Sequence, residues 1–349
     1  MGAFEALLEL ELEIGGYALE PLEKVVASGY HRRTTVVRLR GGGAHGVGEE
    51  LAYDAEDQER FQAAGPRLPL AGRFTVGSFS ARLDELDLTT GPPTQAAYRE
   101  YRRWAFESAA LDLALAQAGR SLPEVLGREP EPMRFAISMG LGEPPDTARL
   151  RRLIDVRPEA RFKLDAAPSW GVELLEELAA LDRVDVVDFK GAYKGTVVDQ
   201  PADPALYERV LAHLPNAWIE DPHDHPDVEA LLAEHWSRVA WDAPIHSLTD
   251  VHARAGRFGA LNVKPSRLGN LVELGRIYDH ARAHGIPLYA GGQFELGPGR
   301  LQAQLLAALV HPDAPNDLAP VAYHDADPGA GATASPLAVS AFERAFGRG

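Results

Sequence analysis

Four short apolar runs in this chain each stop on one ionisable residue. In order they are VDVVD at Asp188, AWIE at Glu220, VAWD at Asp242 and LNVK at Lys264. The charged ends lie 32, 22 and 22 residues apart, the length that a strand, a helix and two loops require. If the strands lie parallel in one barrel, their carboxyl ends share a face. Three carboxylates and an amine then converge on one spot. Carboxylates gathered without a counter-charge repel one another, so a hard divalent cation is implied.

The pattern extends to both sides. FAISMG (135–140) and RFKLD (161–165) precede the four runs, and PLYAGG (287–292) and APVAY (319–323) follow them. Helical patterns lie between, as at 171–182 and 203–214. Strands alternating with helices predict a parallel sheet, and eight strands in so short a stretch predict a closed β/α barrel rather than a doubly wound sheet. No glycine-rich dinucleotide fingerprint or phosphate loop follows any of these strands.

The first part of the chain reads differently. Residues 4–14 alternate apolar and acidic, 34–39 form a β-branched run, and Gly41, Gly42 and Gly43 make a turn, which together predict antiparallel sheet. Residues 98–118 carry apolar side chains at helical spacing and stop at Gly119. The linker GREPEP (127–132) marks a boundary. The expected division is 1–130, 131–326 and a segment 327–349, rich in Gly, Ala and Pro before turning helical, that packs back on the first unit.

The 35 basic and 51 acidic residues leave a net charge of −16, which argues against nucleic acid or an anionic membrane as partner. A small anionic substrate stays open, because a bound metal reverses the local sign. There are no cysteines, which excludes thiolate metal sites, disulfides and cysteine nucleophiles. The acidic, alternating start lacks the basic and apolar regions of a signal peptide, and no apolar run is long enough to span a membrane. A cytoplasmic enzyme is the expectation.

Each strand-end acid taken singly reads equally well as a cap of the following helix. Three in successive strands, followed by a lysine, point instead to a metal site. Lys163, in RFKLD, and Lys264, in LNVKPSRLG, lie on strands roughly opposite each other. A lysine in a barrel mouth is costly to bury charged unless it is paired. Beside a divalent cation its pKa falls, so it can take a proton near neutral pH. A structural ion pair is the plainer alternative for each.

WIEDP, VAWDAP, LNVKPSRLGNL and GGQFELGPGR resemble the strand-end motifs of the enolase superfamily, in its muconate-lactonizing and mandelate-racemase-like subgroup. TTVVRLRGGGAHGVGEE and WAFESAALDLALAQAGRSLPEVLG resemble elements of that family's capping domain, so the likeness covers nearly the whole chain. The resemblance implies a modified TIM barrel, (β/α)7β, with an α+β capping domain formed by the N-terminal part and the C-terminal tail. It implies Asp188, Glu220 and Asp242 as Mg2+ ligands. It sets Lys163 at the second lysine of a Lys-x-Lys pair with Arg161 at the first, and Lys264 as the base on the sixth strand. In such enzymes the metal holds a substrate carboxylate, one lysine removes the α proton, and an enediolate follows. Glu295 matches a position facing substrate. Asp325 and Asp327 resemble the Asp-x-Asp that binds the substrate ammonium in dipeptide epimerases.

Two departures stand out. The family's Asp-x-Asn is Asp188-Phe189-Lys190 here, which adds a cation, Lys190, at the pocket, and Asp-Glu-Ser is Asp242-Ala243-Pro244. A register starting at Asp165 is rejected because it leaves Lys264 unplaced. His223 and His225 suit a transition metal but equally a solvated loop. Tyr17, Tyr30, His31 and Tyr53 fall where the cap's specificity loops are expected. With lysines on both faces, a racemase or epimerase acting on a small carboxylate is the first expectation. A dehydratase or cycloisomerase resembling o-succinylbenzoate synthase is the second, and a non-catalytic binding or scaffold protein the third. A symmetric homo-oligomer is the default assembly.

Overall fold

The structure, a computed structural model, describes residues 2, 4–196, 198–327, 329 and 331–347. It opens with the helical turn Glu5–Leu8 (α1) and the strand Glu11–Ile14 (β1). The alternation over residues 4–14 predicts one strand, and only its second half is one. EALL consists largely of good helix formers and buries Leu7 from a helical turn, whereas ELEI keeps the exposed–buried alternation of a strand.

Strands Gly16–Val25 (β2), His31–Gly41 (β3) and Ala44–Glu50 (β4) form an antiparallel meander. Gly42 and Gly43 join β3 to β4 at positive φ, a two-residue turn that glycine makes without steric penalty. Helix Ala55–Ala64 (α2) leads to strand Gly72–Thr75 (β5), which pairs with β1. Helices Val76–Asp84 (α3), Ala97–Ala118 (α4) and Leu122–Leu126 (α5) follow. The α4 helix ends where Gly119 turns left-handed, as its spacing predicts. It lies so close to β4 that a Cβ at Gly46 or Gly48 would collide with the α4 backbone around Ala105, Ala109 and Leu113. The glycines of HGVGEE are thus a packing requirement.

From there strand and helix alternate: Ile137–Gly140 (β6), Ala148–Val156 (α6), Phe162–Asp165 (β7), Val172–Leu181 (α7), Val184–Asp188 (β8), Pro204–His213 (α8), Trp218–Glu220 (β9) and Pro226–Leu232 (α9). Then come Val239–Trp241 (β10), Leu248–Ala253 (α10), Ala260–Val263 (β11), Pro265–Leu268 (α11), Leu271–His284 (α12), Leu288–Ala290 (β12) and Pro298–Val310 (α13). Strands β6 to β12 pair in chain order, every neighbour parallel. Val186, Ala240, Ala260 and Tyr289 pack together as a small buried cluster of their own, contributed by four of these strands, as expected of a barrel interior filled by side chains. The main core lies between the strands and the helices around them, with Leu175 and Leu178 of α7 and Leu206, Tyr207 and Val210 of α8 among its members. This is a modified TIM barrel with an antiparallel capping part.

The expected eighth strand at 319–323 is not one, and residues Val321–His324 form a 3-10 turn. Prolines 312, 315 and 320 interrupt that stretch, and proline cannot donate to a ladder. The ring closes instead through two single bridges, Phe135 to Asn316 and Gly291 to Asp317. The buried Asn316 side chain replaces ladder bonds. Its Oδ1 accepts from Ala290 N–H at 2.8 Å and its Nδ2 donates to the Arg134 carbonyl at 3.0 Å.

Buried polar contacts fasten cap to barrel. Glu49, near the end of β4, accepts N–H bonds from Leu296, Gly297 and Gly299 at 2.7, 3.0 and 3.0 Å, satisfying orphan donors where α13 begins. Glu107 of α4 accepts from Leu271 N–H of α12 at 2.7 Å. Arg32 of β3 donates to the carbonyls of Gln293 and Phe294. The tail lacks the helix its pattern predicts, and Val339–Ala341 is a single 3-10 turn. Main-chain pairing of Leu337 with Met133 holds it extended. Phe342 and Phe346 are buried, and Gly347 N–H donates to Asp112 of α4 at 2.7 Å. None of the described helices is long and apolar enough to cross a membrane.

Candidate active site

The strand ends gather their charges in one place. Lys163 lies in β7, Asp188 and Glu220 end β8 and β9, and Asp242 and Lys264 follow β10 and β11 by one residue. All five side chains are buried. The Lys163 ammonium hydrogen-bonds Glu220 and stands 3.3 Å from both Asp188 Oδ2 and Asp317 Oδ2. Lys190 also pairs with Asp188 and lies 3.0 Å from Asp165 Oδ1. Lys264 Nζ is 2.8 Å from Asp242 Oδ2, Arg267 takes Oδ1, and the Tyr193 hydroxyl reaches Oδ2 at 3.2 Å. The second oxygen of Glu220 accepts from the Tyr289 hydroxyl and from Asn262 Nδ2 at 3.4 Å.

Asp221, at φ +43, points elsewhere. Its oxygens accept the N–H groups of Asp242 and Ala243 at 2.8 Å each and tie the end of β9 to that of β10.

Burial and charge pull these groups in opposite directions. Burial raises the Glu220 carboxyl to about 8, with Asp188, Asp242 and Asp221 adding and Lys163 opposing. Asp221 is raised to about 7 by burial and by Asp242 and Asp188. Burial also raises Asp188, but the ammonium groups of Lys190 and Lys163 prevail and hold it at about 2. Asp242 is lowered likewise, since Arg267 and Lys264 outweigh its burial. Lys163 moves well above its usual value. Burial disfavours its charge, but Glu220, Asp188 and Asp317 together outweigh that effect and keep it an ammonium.

The donors fit a divalent cation in kind: three buried carboxylates from successive strand ends, the hard oxygens that magnesium takes. Lys163 touching Glu220 while 3.3 Å from Asp188 shows that these two acids share one counter-ion position. As they stand, no three acids or histidines among the described residues form a ready cation cage, and the oxygens of Asp188, Glu220 and Asp242 are engaged by Lys163, Lys190, Lys264 and Arg267.

Comparison with known proteins places the chain. It matches the family described as a domain of unknown function, DUF8230, with the N-terminal domain over residues 5–125 and the C-terminal domain over 129–325. It is 28% identical over 228 residues to o-succinylbenzoate synthase of Geobacillus stearothermophilus, covering 63% of this chain and 59% of that one. It is 32% identical over 242 residues to N-succinylamino acid racemase of an Amycolatopsis species, covering 64% and 62%. The chain thus spans about three fifths of these two relatives' length. A longer match, 28% over 313 residues, is to N-succinylamino acid racemase of Thermus thermophilus, with 82% and 78% covered. In fold it is similar to muconate lactonizing enzyme from Pseudomonas putida, with TM-score 0.64, 21% identity and 88% of both chains covered. It is also similar to a probable mandelate racemase from Alicyclobacillus acidocaldarius, with TM-score 0.66, 21% identity, and 89% and 85% covered. The chain belongs to the DUF8230 family.

In this DUF8230 barrel the structure brings together Lys163, Asp188, Lys190, Glu220, Asp242 and Lys264. Other expected residues lie elsewhere. Arg161 is expected to face substrate, yet it precedes β7 at the strand's amino end. Its guanidinium bonds Asp185 and the Asp182 carbonyl, because a β-bulge at Phe162/Lys163 offers it Asp185. Glu295 accepts from Gln293 N–H at 2.8 Å and pairs with Arg300 at 2.9 Å. Asp325 pairs with Lys24 of β2 at 2.9 Å, and the exposed Asp327 caps Gly329 N–H. Neither occupies the closing position of the ring, where Asp317 stands. His223 uses both ring nitrogens on Tyr207 and the Gln200 carbonyl, and His225 caps α9, so neither is a free metal ligand. Tyr17 is core, accepting from Leu68 N–H. Tyr30 bonds the Tyr53 carbonyl, His31 pairs with Glu23, and Tyr53 reaches Gln293.

Sequence reasoning missed Tyr193, Arg267, Asn262, Tyr289 and Asp317. Arg267 and Asn262 sit inside LNVKPSRLG beside Lys264, and Tyr289 is the middle residue of its strand, so local position was a usable signal for those three. Asp317 carried no such signal, because its place depends on how the ring closes.

Proposed function

We propose that this chain removes the proton α to the carboxylate of a small substrate and returns it, a racemase or epimerase reaction. One observation carries the reading. Two buried lysines, on strands four places apart in the ring, reach the strand-end carboxylates from two sides, Lys163 at Asp188 and Glu220 and Lys264 at Asp242. Their settings differ. Lys163 is shared among Glu220, Asp188 and Asp317, whereas Lys264 pairs with Asp242, and Arg267 already neutralises that acid. Lys163, held as an ammonium, takes the role of proton donor and Lys264 that of base, on opposite faces of the substrate. Asp188, Glu220 and Asp242 would hold Mg2+, which when bound polarises the substrate carboxylate and offsets the charge of the enediolate. Tyr193 and Arg267 orient Asp242, and Tyr289 and Asn262 orient Glu220.

The same asymmetry favours a second reading, in which Lys163 stays an ammonium that steadies the intermediate during elimination or cycloisomerisation. The names of the relatives, a racemase and a synthase, span both outcomes.

The test incubates the protein with Mg2+ and a panel of α-substituted carboxylic acids in deuterated water. The expected result is α-hydrogen exchange that disappears in Lys264→Ala and Lys163→Ala. Racemised substrate supports the first reading and an alkene product the second. Exchange that persists in both variants would sink the proposal.

A further inference from the structure

The residue that departs most from the superfamily pattern also has the least ordinary backbone. Lys190 sits two residues past the end of β8 at φ +56, a left-handed conformation that side chains other than Asn, Asp and Gly seldom adopt. The turn folds Lys190 back over Asp188. Its N–H donates to Asp188 Oδ1 at 3.0 Å and its ammonium pairs with Oδ2. The same ammonium lies 3.0 Å from Asp165 Oδ1, at the end of the neighbouring strand. That Asp165 oxygen has no aligned hydrogen bond of its own, and the Asp165 side chain is 37% exposed. Lys190 therefore stands between two carboxylates: a fully buried one in the site, which it hydrogen-bonds, and a more open one at the rim, with which it keeps an ion pair at 3.0 Å.

We propose that Lys190 is a tethered counter-ion that competes with the divalent cation for Asp188, and that Asp165 is the seat to which its ammonium withdraws when the cation binds. The inference rests on the magnesium reading of the site and adds a limit to it: the chain carries its own rival for one ligand. Only molecules with Lys190 withdrawn are competent to bind, so apparent metal affinity is reduced by that fraction.

Calorimetric titration of the whole chain with MgCl2 and with MnCl2, at one pH and without substrate, tests this. Lys190→Gln removes the rival charge and is expected to tighten binding by about tenfold or more. Lys190→Arg keeps a cation and stays as weak as the natural chain. Asp165→Asn removes the rim seat and weakens binding further. Circular dichroism melting confirms that each variant is folded. Should Lys190→Gln fail to fold, Lys190→Arg and Asp165→Asn carry the test, and unchanged binding in Asp165→Asn then overturns the proposal. Equal or weaker binding by folded Lys190→Gln also overturns it and leaves the magnesium reading standing. No binding by the natural chain together with binding by Lys190→Gln supports it. No binding by either overturns both.

Discussion

Asp317 stands 3.3 Å from the ammonium of Lys163, reaching it from the segment that closes the barrel rather than from a strand. It is one of four acids that raise the lysine's pKa, after Glu220 and Asp188 and ahead of Asp242. Asp317→Asn keeps the shape and removes the charge. The limb of the pH–rate profile belonging to Lys163 is expected to move to lower pH. The maximal rate falls about tenfold, equivalent to about 1.4 kcal/mol of barrel-mouth electrostatics, while KM changes less. A pH profile of α-exchange in the variant and the natural chain checks both statements, and an unmoved limb contradicts the first.

Glu49 ties the cap to the start of α13 through three N–H groups. Glu49→Ala strands those donors in a buried place, at about 1–3 kcal/mol for an unsatisfied group, and frees the loop that carries Gln293 and Glu295. Urea unfolding is expected to show an unfolding free energy lowered by at least that much. Glu49→Gln, which keeps one acceptor oxygen, recovers part of it.

Gly48 faces the α4 backbone at Ala105 and Ala109 with no room for a methyl group. Gly48→Ala requires helix or strand to shift, an overpacking penalty of about 1–3 kcal/mol. A lowered melting temperature is the expected outcome. Gly43→Ala, at an open turn position with φ +80, suffers backbone strain alone and serves as the comparison.

His311 is buried with Nδ1 on Asn316 Oδ1 at 2.9 Å, and burial lowers its pKa from the usual 6.5 to about 4. Between those values the unfolded chain binds the proton and the folded one does not. This residue's contribution to stability is therefore complete above about pH 6.5 and is lost as pH falls toward 4, to about 3 kcal/mol at 1.36 kcal/mol per unit. Urea midpoints across that range should fall less steeply with acid in His311→Gln than in the natural chain.

Much of this site is legible in the sequence, for a local reason. Each of the runs ending at Asp188, Glu220, Asp242 and Lys264 is a buried strand that stops where the chain leaves the core, so order along the chain is order around the ring. The same logic fails where geometry is not local. Residues 319–323 look like a strand, but closure is made by Asn316 and Asp317, two residues between prolines. Arg161 has the spacing of a site residue, yet a bulge one residue later hands it to Asp185. The leading EALLELELEI alternates only from Leu8 onward, and tertiary pairing with β5 selects the stretch that becomes extended. Lys190 reads in sequence as an added charge. That it doubles back onto Asp188 follows from its left-handed backbone, which residue type alone disfavours.

The Asn316 amide, with two single main-chain bridges, does between Ala290 and Arg134 what a ladder does at every other seam. The barrel is therefore less a hoop than a horseshoe with a buckle. A buckle can be exchanged without reweaving the band, since no neighbouring strand depends on its register. The Asp317 carboxylate rides on that buckle, so the acid set against Lys163 is the part of the chemistry that descendants of this chain can replace with least disturbance to the fold.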